Sequence, residues 1–149
     1  MKKIFAKIGL FTLAIVLIDQ VIKLIAKNHL LNPVTVNSFI RLRYEENNGM
    51  AWGIGLAQPW LSLLNVIIIV FVIFWGLRAL NLTRPSAFLS LSFVLGGGLS
   101  NLIDRLTRGY VIDYFAVGWW PVFNLADAFL SIGIFLIVVF YDKIKRSSA

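Results

Sequence analysis

Cysteine is absent from the chain, and histidine occurs once, at His29. The lack of cysteine excludes disulfides, thiolate metal sites and cysteine nucleophiles. A single histidine cannot supply a His-Glu-x-x-His motif or a pair of imidazole ligands for catalytic zinc. We therefore expect chemistry that uses neither a metal nor another cofactor, with His29 as an interfacial side chain beyond the first apolar stretch.

Acidic residues are also scarce, since seven Asp and Glu stand against 14 Lys and Arg and give a net charge of +7. The basic residues are spread along the chain rather than clustered with aromatic residues, so we expect no nucleic-acid partner. Hydrophobic residues make up 59% of the chain and charged residues 14%. This composition indicates an integral membrane protein.

Four apolar stretches are each about long enough to cross a bilayer, which takes roughly 20 helical residues. They are Ile4–Ile25, Trp60–Leu80, Ser86–Ile103 and Pro121–Tyr141. Because they leave no room for a soluble domain, the sequence predicts a single integral membrane domain over residues 1–149 with four transmembrane helices. The first stretch resembles a signal peptide, but no small-residue cleavage site follows it, so we expect a retained span.

The distribution of basic residues predicts the orientation of these spans. A cytoplasmic N-terminus leaves about eight basic residues on the inner side and fewer on the outer side, in agreement with the positive-inside rule. An even number of spans then puts both termini in the cytoplasm. Four aspartates approach the outer face in this topology: Asp19, Asp104, Asp113 and Asp127. Asp127 is expected about two turns into the fourth span.

Asp113 and Asp127 have no evident basic partner at helical spacing, which makes them the best pair for chemistry. Two carboxylates a few ångströms apart do not both ionise easily, so they share a proton, and one becomes a base and the other an acid. Such a dyad can activate water against an amide without a metal or a covalent intermediate. The residue chemistry alone leaves open that they are two unrelated polar residues at a wet boundary.

Two further patterns concern the scaffold. Asp19 and Lys23 are four residues apart with the acid first, which predicts an ion pair on one helix face, and Lys23 is expected to snorkel towards the headgroups. Direct contact of this pair with a substrate stays open. A stripe of small residues on the third span predicts that another helix approaches it closely. The stripe comprises Ser92, Gly96 and Ser100, widened by Gly97 and Gly98.

Five motifs occur in order between and within the predicted spans. They are Asp19-Gln20-x-x-Lys23, Asn47-x-Gly49-x-Ala51-Trp52-Gly53, Gly98-x-x-Asn101-Leu102-Ile103-Asp104-Arg105, Gly109-x-Val111-Ile112-Asp113-Tyr114 and Phe123-Asn124-Leu125-Ala126-Asp127. With these motifs the chain resembles the bacterial lipoprotein signal peptidase family, also called signal peptidase II, over essentially its whole length. It departs from the usual pattern at Asn48, Trp52 and Tyr114, and none of these replaces a carboxylate.

The resemblance implies an aspartyl endopeptidase of the bacterial cytoplasmic membrane. Such an enzyme removes signal peptides from diacylglyceryl-modified prolipoproteins and cuts just before the lipidated cysteine. Asp113 and Asp127 would be its catalytic dyad, in agreement with the choice made from residue chemistry. Asp19 and Lys23 would be a structural pair. Further positions would bind substrate or support the site: Asn47, Gly49, Asn101, Asp104, Arg105 and Asn124.

The family fold adds a small extracytoplasmic β-cradle, for which Val34–Ile54 is the best candidate because apolar residues recur there at even positions before a turn. Arg105 and Arg108 are expected to meet phospholipid headgroups at the outer face, and the protein is expected to act as a monomer. The alternative is a small multi-pass transporter or a scaffold that uses boundary carboxylates. A transporter usually has acids nearer mid-span and broken or repeated helices.

Overall fold

The computed structural model describes residues 2–49 and 58–146. Within these ranges the chain forms four long helices and three short strands. They are α1 (Lys2–His29), β1 (Val34–Thr35), β2 (Ile40–Asn47), α2 (Gln58–Ala79), α3 (Pro85–Arg108), β3 (Val111–Val117) and α4 (Leu125–Ile144). Each helix is long and apolar enough to cross a membrane. The predicted fold class, an α-helical membrane protein with a small sheet, is confirmed.

Helix α3 lies at the centre of the bundle, because three consecutive glycines each face a different helix. Successive helical residues point about 100° apart, so a triplet covers most of the helix circumference. The nearest side chain or backbone around each glycine belongs to Ile15 of α1 for Gly96, Ala126 of α4 for Gly97, and Ile69 of α2 for Gly98. The predicted small-residue stripe therefore admits three helices rather than one.

Helix α4 begins later than predicted. The apolar pattern put the start of the span at Pro121, but the helix is capped by Asn124. The preceding residue, Phe123, exchanges backbone hydrogen bonds with Phe115 at 2.8 and 3.0 Å, and an extended pairing of this kind is incompatible with a helix. Asp127 consequently lies in the first turn of α4, and the expectation that it lies two turns inside the span is wrong.

The three strands form an antiparallel sheet in the order β1-β2-β3. The first two strands lie within the predicted cradle segment Val34–Ile54, whose last residues fall outside the described ranges. The third strand, Val111–Val117, comes from a segment expected to be an outer loop. The pairing of Glu45 with Asp113, and of Asn47 with Val111, joins β2 to β3. This register brings Asn47 next to the strand that carries Asp113.

We predict that Gly97→Ala destabilises the protein by about 1–3 kcal/mol, the usual range for overpacking a tight interface. A Cβ at this position would overlap the carbonyl oxygen of Ala126 and lie 3.0 Å from the Leu130 Cβ. The measurement is the thermal unfolding temperature in detergent.

Gly9→Ala is the matched control, because a Cβ on Gly9 meets nothing within 4 Å and alanine favours a helix over glycine. Its unfolding temperature should be unchanged or higher. An equal decrease for both variants would contradict the assigned α3–α4 contact.

Candidate active site

The predicted dyad, Asp113 and Asp127, is assembled around Asn124. Strand β3 supplies Asp113, which is 2% exposed, and the first turn of α4 supplies Asp127. The side-chain Nδ2 of Asn124 donates to Asp113 Oδ1 at 2.6 Å, and its backbone N–H donates to Asp127 Oδ2 at 3.2 Å. One residue therefore contacts both carboxylates, and two aspartates from different elements are brought to one place.

Burial and the neighbouring Asp127 charge raise the pKa of Asp113 to about 7. Removal from water penalises the ionised form, and a second carboxylate nearby adds repulsion. Hydrogen bonds from Asn47 and Asn124 act in the opposite direction, because they favour the charged form of Asp113. Asp113 is thus about half protonated near neutral pH, as a carboxyl that serves as an acid requires.

Every oxygen of the two carboxylates accepts a hydrogen bond. Asp113 accepts from the Nδ2 groups of Asn47 at 2.8 Å and of Asn124 at 2.6 Å. Asp127 accepts from the Nδ2 group of Asn101 at 2.7 Å and from the backbone N–H of Asn124 at 3.2 Å. Three asparagines therefore fix the orientation of both carboxylates.

Two of these asparagines are oriented by backbone donors. The Oδ1 atom of Asn47 accepts from the Gly49 N–H at 3.0 Å, and the Oδ1 atom of Asn124 accepts from the Asp127 N–H at 2.9 Å. An amide whose oxygen is held in this way must present its nitrogen on the other side. Gly49 thus acts on the site through its backbone, and Asn124 completes a capping box with Asp127.

Asn101 is oriented by a buried lysine. Lys23 Nζ donates to Asn101 Oδ1 at 2.9 Å and forms ion pairs with Asp19 at 2.8 Å and Asp104 at 2.9 Å. Three acceptors match the three hydrogens of the ammonium group, and Lys23 is fully buried. The expectation that Lys23 snorkels towards the headgroups is therefore wrong, since its charge is compensated inside the bundle.

The two arginines at the end of α3 differ in their surroundings. Arg108 is paired with Asp104 and donates to Gln20 Oε1 at 3.2 Å, so its guanidinium is directed into the bundle rather than towards headgroups, contrary to expectation. Arg105 lies within electrostatic reach of both Asp113 and Asp127. Its Nε is buried and has no hydrogen-bond partner among the described residues.

Three residues that pack around the site, without contacting its two carboxylates, were not among the predicted residues. Gln20 Nε2 donates to Asp104 Oδ1 at 2.8 Å, and Ser100 Oγ donates to Asp19 Oδ2 at 2.6 Å. The Tyr114 hydroxyl, whose pKa is raised by burial, accepts the N–H of the first residue of α4. Gln20 could have been identified from the sequence, because it is a polar residue within an apolar run. Tyr114 stands in the sequence only as a departure from the usual phenylalanine.

The arrangement suits proton transfer by two carboxyl groups. A neutral Asp113 and an ionised Asp127, or the reverse, provide one acid and one base in a shared site. Among the described residues, no group of three or more His, Cys, Asp or Glu side chains is arranged to hold a metal ion.

Comparison with known proteins gives a consistent result. A family profile described as signal peptidase (SPase) II matches residues 11–142. The lipoprotein signal peptidase of Chlorobaculum parvum is 36% identical, covering 91% of this chain and 94% of that protein. The corresponding protein of Moorella thermoacetica is 38% identical and covers 86% and 87%.

A solved structure supports the same assignment. A bacterial membrane enzyme determined by the in meso method at 2.3 Å resolution is 28% identical to this chain. It aligns with a TM-score of 0.80 over 93% of this chain and 88% of its own. The predicted family and the prediction of a protease are confirmed, and the chain belongs to the signal peptidase II family.

Proposed function

We propose that Asp113 and Asp127 are the catalytic dyad of this signal peptidase II, and that it releases signal peptides from diacylglyceryl-modified prolipoproteins. The observation that carries the proposal is the position of Asn124, which donates to Asp113 at 2.6 Å and to Asp127 at 3.2 Å. A residue that contacts both carboxylates holds them in one site, where the charge of Asp127 disfavours ionisation of Asp113. The cleaved bond is the one before the lipidated cysteine.

The mechanism is direct attack of water on the scissile carbonyl. The ionised aspartate takes a proton from water as its oxygen bonds to the carbonyl carbon, and the protonated aspartate donates its proton to the carbonyl oxygen. The tetrahedral intermediate then collapses. The leaving amine takes a proton from the carboxyl that received one from water, and the other carboxylate takes a proton back from a hydroxyl of the intermediate as the new carboxyl group forms. Both products leave with the dyad again holding one proton.

Arg105 is proposed to contact the substrate. Its guanidinium lies near both carboxylates, and the buried Nε has no partner among the described residues. A guanidinium within electrostatic reach of the dyad is suited to a peptide carbonyl of the bound signal peptide. The other predicted positions are proposed to support the site: Asn47, Gly49, Asn101, Asp104 and Asn124, with Asp19 and Lys23 beneath them.

The protein is a multi-pass protein of the inner membrane, and we propose that its site opens at the outer face with both termini in the cytoplasm. The sheet and the dyad belong to the ends of the helices that the positive-inside rule assigns to the outside. The exposed aromatic residues Phe39, Trp119 and Trp120 lie next to the end of the sheet where Ile40 pairs with Val117. Aromatic side chains favour the headgroup region, which supports contact with phospholipids there.

We also propose that a single copy is sufficient for activity, because every donor to the two carboxylates described above comes from the same chain. The transporter and scaffold alternatives are not favoured. The family match gives a protease, and fixed carboxylates suit hydrolysis better than ion transport, which requires ions to be released.

Replacing either dyad residue by asparagine should reduce turnover by at least about 1,000-fold, within the usual range for loss of acid–base catalysis. Asn keeps the size and most of the hydrogen bonding, so the fold should survive, as monitored by monodisperse gel filtration in detergent. The assay follows cleavage of a diacylglyceryl-modified precursor by Asp113→Asn and Asp127→Asn.

Asp142→Asn is the matched control for these substitutions, since Asp142 is 87% exposed at the opposite end of α4. It should retain full activity. Substantial turnover by either dyad variant would refute the assignment.

The pH dependence of kcat/KM should have an alkaline limb near the Asp113 pKa of about 7. The pKa is raised, so Asp113 is protonated below this pH and loses its acid function as the pH rises through it. Asn47→Ala removes a hydrogen bond that lowers the pKa of Asp113. The alkaline limb of this variant should therefore move to higher pH, and a limb that stays in place or moves down would contradict the role of Asp113.

Precursors without the diacylglyceryl group should be cleaved with kcat/KM reduced by about 100-fold or more. Burial of acyl methylenes contributes roughly 0.8 kcal/mol each, so a few buried methylenes account for this difference. Apolar side chains at the outer end of α2, among them Trp60 and Leu63, are exposed and available for such contact. The measurement is kcat/KM for matched lipidated and unlipidated precursors. Equal kcat/KM values would mean that the enzyme recognises only the peptide.

A further inference from the structure

The three asparagines that hold the dyad differ in what orients them. Asn47 and Asn124 are each held by a backbone N–H group, from Gly49 and Asp127. Within residues 2–49 and 58–146 no backbone N–H donates to the Oδ1 of Asn101, which accepts from the Nζ of Lys23 at 2.9 Å. Lys23 therefore occupies the position that the backbone occupies at the other two asparagines.

Lys23 determines which way the Asn101 amide points. An ammonium group only donates hydrogen bonds, so the amide oxygen must face Lys23 and the amide nitrogen must face Asp127. The second contact of the oxygen, with Asn124 Nδ2 at 3.2 Å, is longer than the 2.9 Å contact with Lys23. A reversed amide would turn its nitrogen towards the ammonium and its oxygen towards a carboxylate, and both contacts would be repulsive.

The charge of Lys23 acts on Asp127 together with the opposing charge of Asp19. Lys23 lies between Asp19 and Asp104, and Arg108 pairs with the second oxygen of Asp104. Two positive and two negative groups give this cluster no net charge, so its field at a distance is weak. The charged groups facing it from the surrounding elements are Arg105 on α3, Asp113 on β3 and Asp127 on α4.

The donors alone do not distinguish the two carboxylates, because each accepts two hydrogen bonds from amide groups. Their positions differ. Asp127 lies in the first turn of α4, where the helix dipole favours negative charge. Asp113 lies in a strand, buried, with Asp127 as its charged neighbour. The hydrogen bond from the Asn101 amide to Asp127 further favours negative charge on Asp127 over Asp113. A reversed amide would remove this contribution.

We infer that Lys23 is a positioning residue of the dyad: it holds Asn101 in the orientation that donates to Asp127, and this hydrogen bond stabilises Asp127 as the carboxylate that takes a proton from water. This inference rests on the proposed function. It assigns Asp127 as the base that takes a proton from water and Asp113 as the acid that protonates the scissile carbonyl.

The test compares two double variants with the same charge. Lys23→Met with Asp19→Asn removes the donor to Asn101, and Lys23→Gln with Asp19→Asn keeps an amide donor at position 23. In both, Asn at position 19 can still accept from the Ala126 N–H and can donate to Ser100 Oγ, the two other groups that Asp19 contacts. The pair differs mainly in the hydrogen bond offered to Asn101.

The readout is the pH profile of kcat/KM with a lipidated precursor, with gel filtration to verify the fold. Loss of a donor to a carboxylate makes its ionisation harder, so the acid limb should move to higher pH. In the methionine variant we expect a shift of roughly one pH unit or more, and a kcat about 10- to 100-fold lower, as for the loss of a hydrogen bond to a charged group. KM should change little, and the glutamine variant should keep the wild-type limb.

Ser100→Ala separates positioning from a purely structural role. It removes the 2.6 Å hydrogen bond to Asp19 and disturbs the same buried cluster without touching Asn101. This variant should unfold at a lower temperature but keep the acid limb of the wild type. Equal limbs in the methionine and glutamine variants, shifted or not, would overturn the inference.

Asn101→Asp decides the matter if the double variants do not fold. It keeps an oxygen for Lys23 but replaces the donor to Asp127 by a second oxygen, so the acid limb should move up; an unchanged limb would overturn the inference. Asp113→Asn and Asp127→Asn are assayed in parallel. Turnover by these two would refute the dyad itself, whereas inactivity of both with an unshifted limb in the Lys23 variants would refute the inference alone.

Discussion

The active arrangement depends on side-chain amides whose orientation is fixed. An asparagine has a donor on one side and an acceptor on the other, so it stabilises a carboxylate only when something holds its oxygen. Here each of three asparagines has its oxygen held and its nitrogen directed at an aspartate. In the interior of a membrane protein an unpaired carboxylate is costly. Among the described residues no cation forms an ion pair with either carboxylate. Such a pair would lower the pKa of the aspartate and remove the acid.

Close packing around α3 makes these contacts possible. Lys23, Asn101 and Asp127 come from α1, α3 and α4, and the contacts that join them are 2.9 and 2.7 Å long. Such distances require helix axes to approach closely, which the glycine triplet Gly96–Gly98 permits about one turn nearer the start of α3 than Asn101. Helix α3 contacts each of the other three helices. It also carries Asn101, which links Lys23 to Asp127. The packing of the bundle therefore positions the residues around the two aspartates.

The sequence predicted the helices, and it singled out the two aspartates that Asn124 contacts in the structure, because both depend on local signals, long apolar stretches and rare acids. It did not reveal β3, whose side chains are mostly buried on both faces and show no alternation. The start of α4 was misplaced because the pairing of Phe123 with Phe115 is a tertiary contact invisible to an apolar pattern. Lys23 was paired with Asp19 by spacing alone, and its contact with Asp104 joins residues far apart in the chain.

The central claim is that two carboxylates activate water and that neither attacks the peptide bond itself. Turnover of a lipidated precursor in heavy-oxygen water, followed by mass spectrometry of both product and enzyme, tests this most directly. Heavy oxygen is expected in the new carboxyl group of the released signal peptide, and none is expected in the peptides that contain Asp113 and Asp127. Incorporation of heavy oxygen into either aspartate would show a covalent acyl-enzyme and contradict the mechanism.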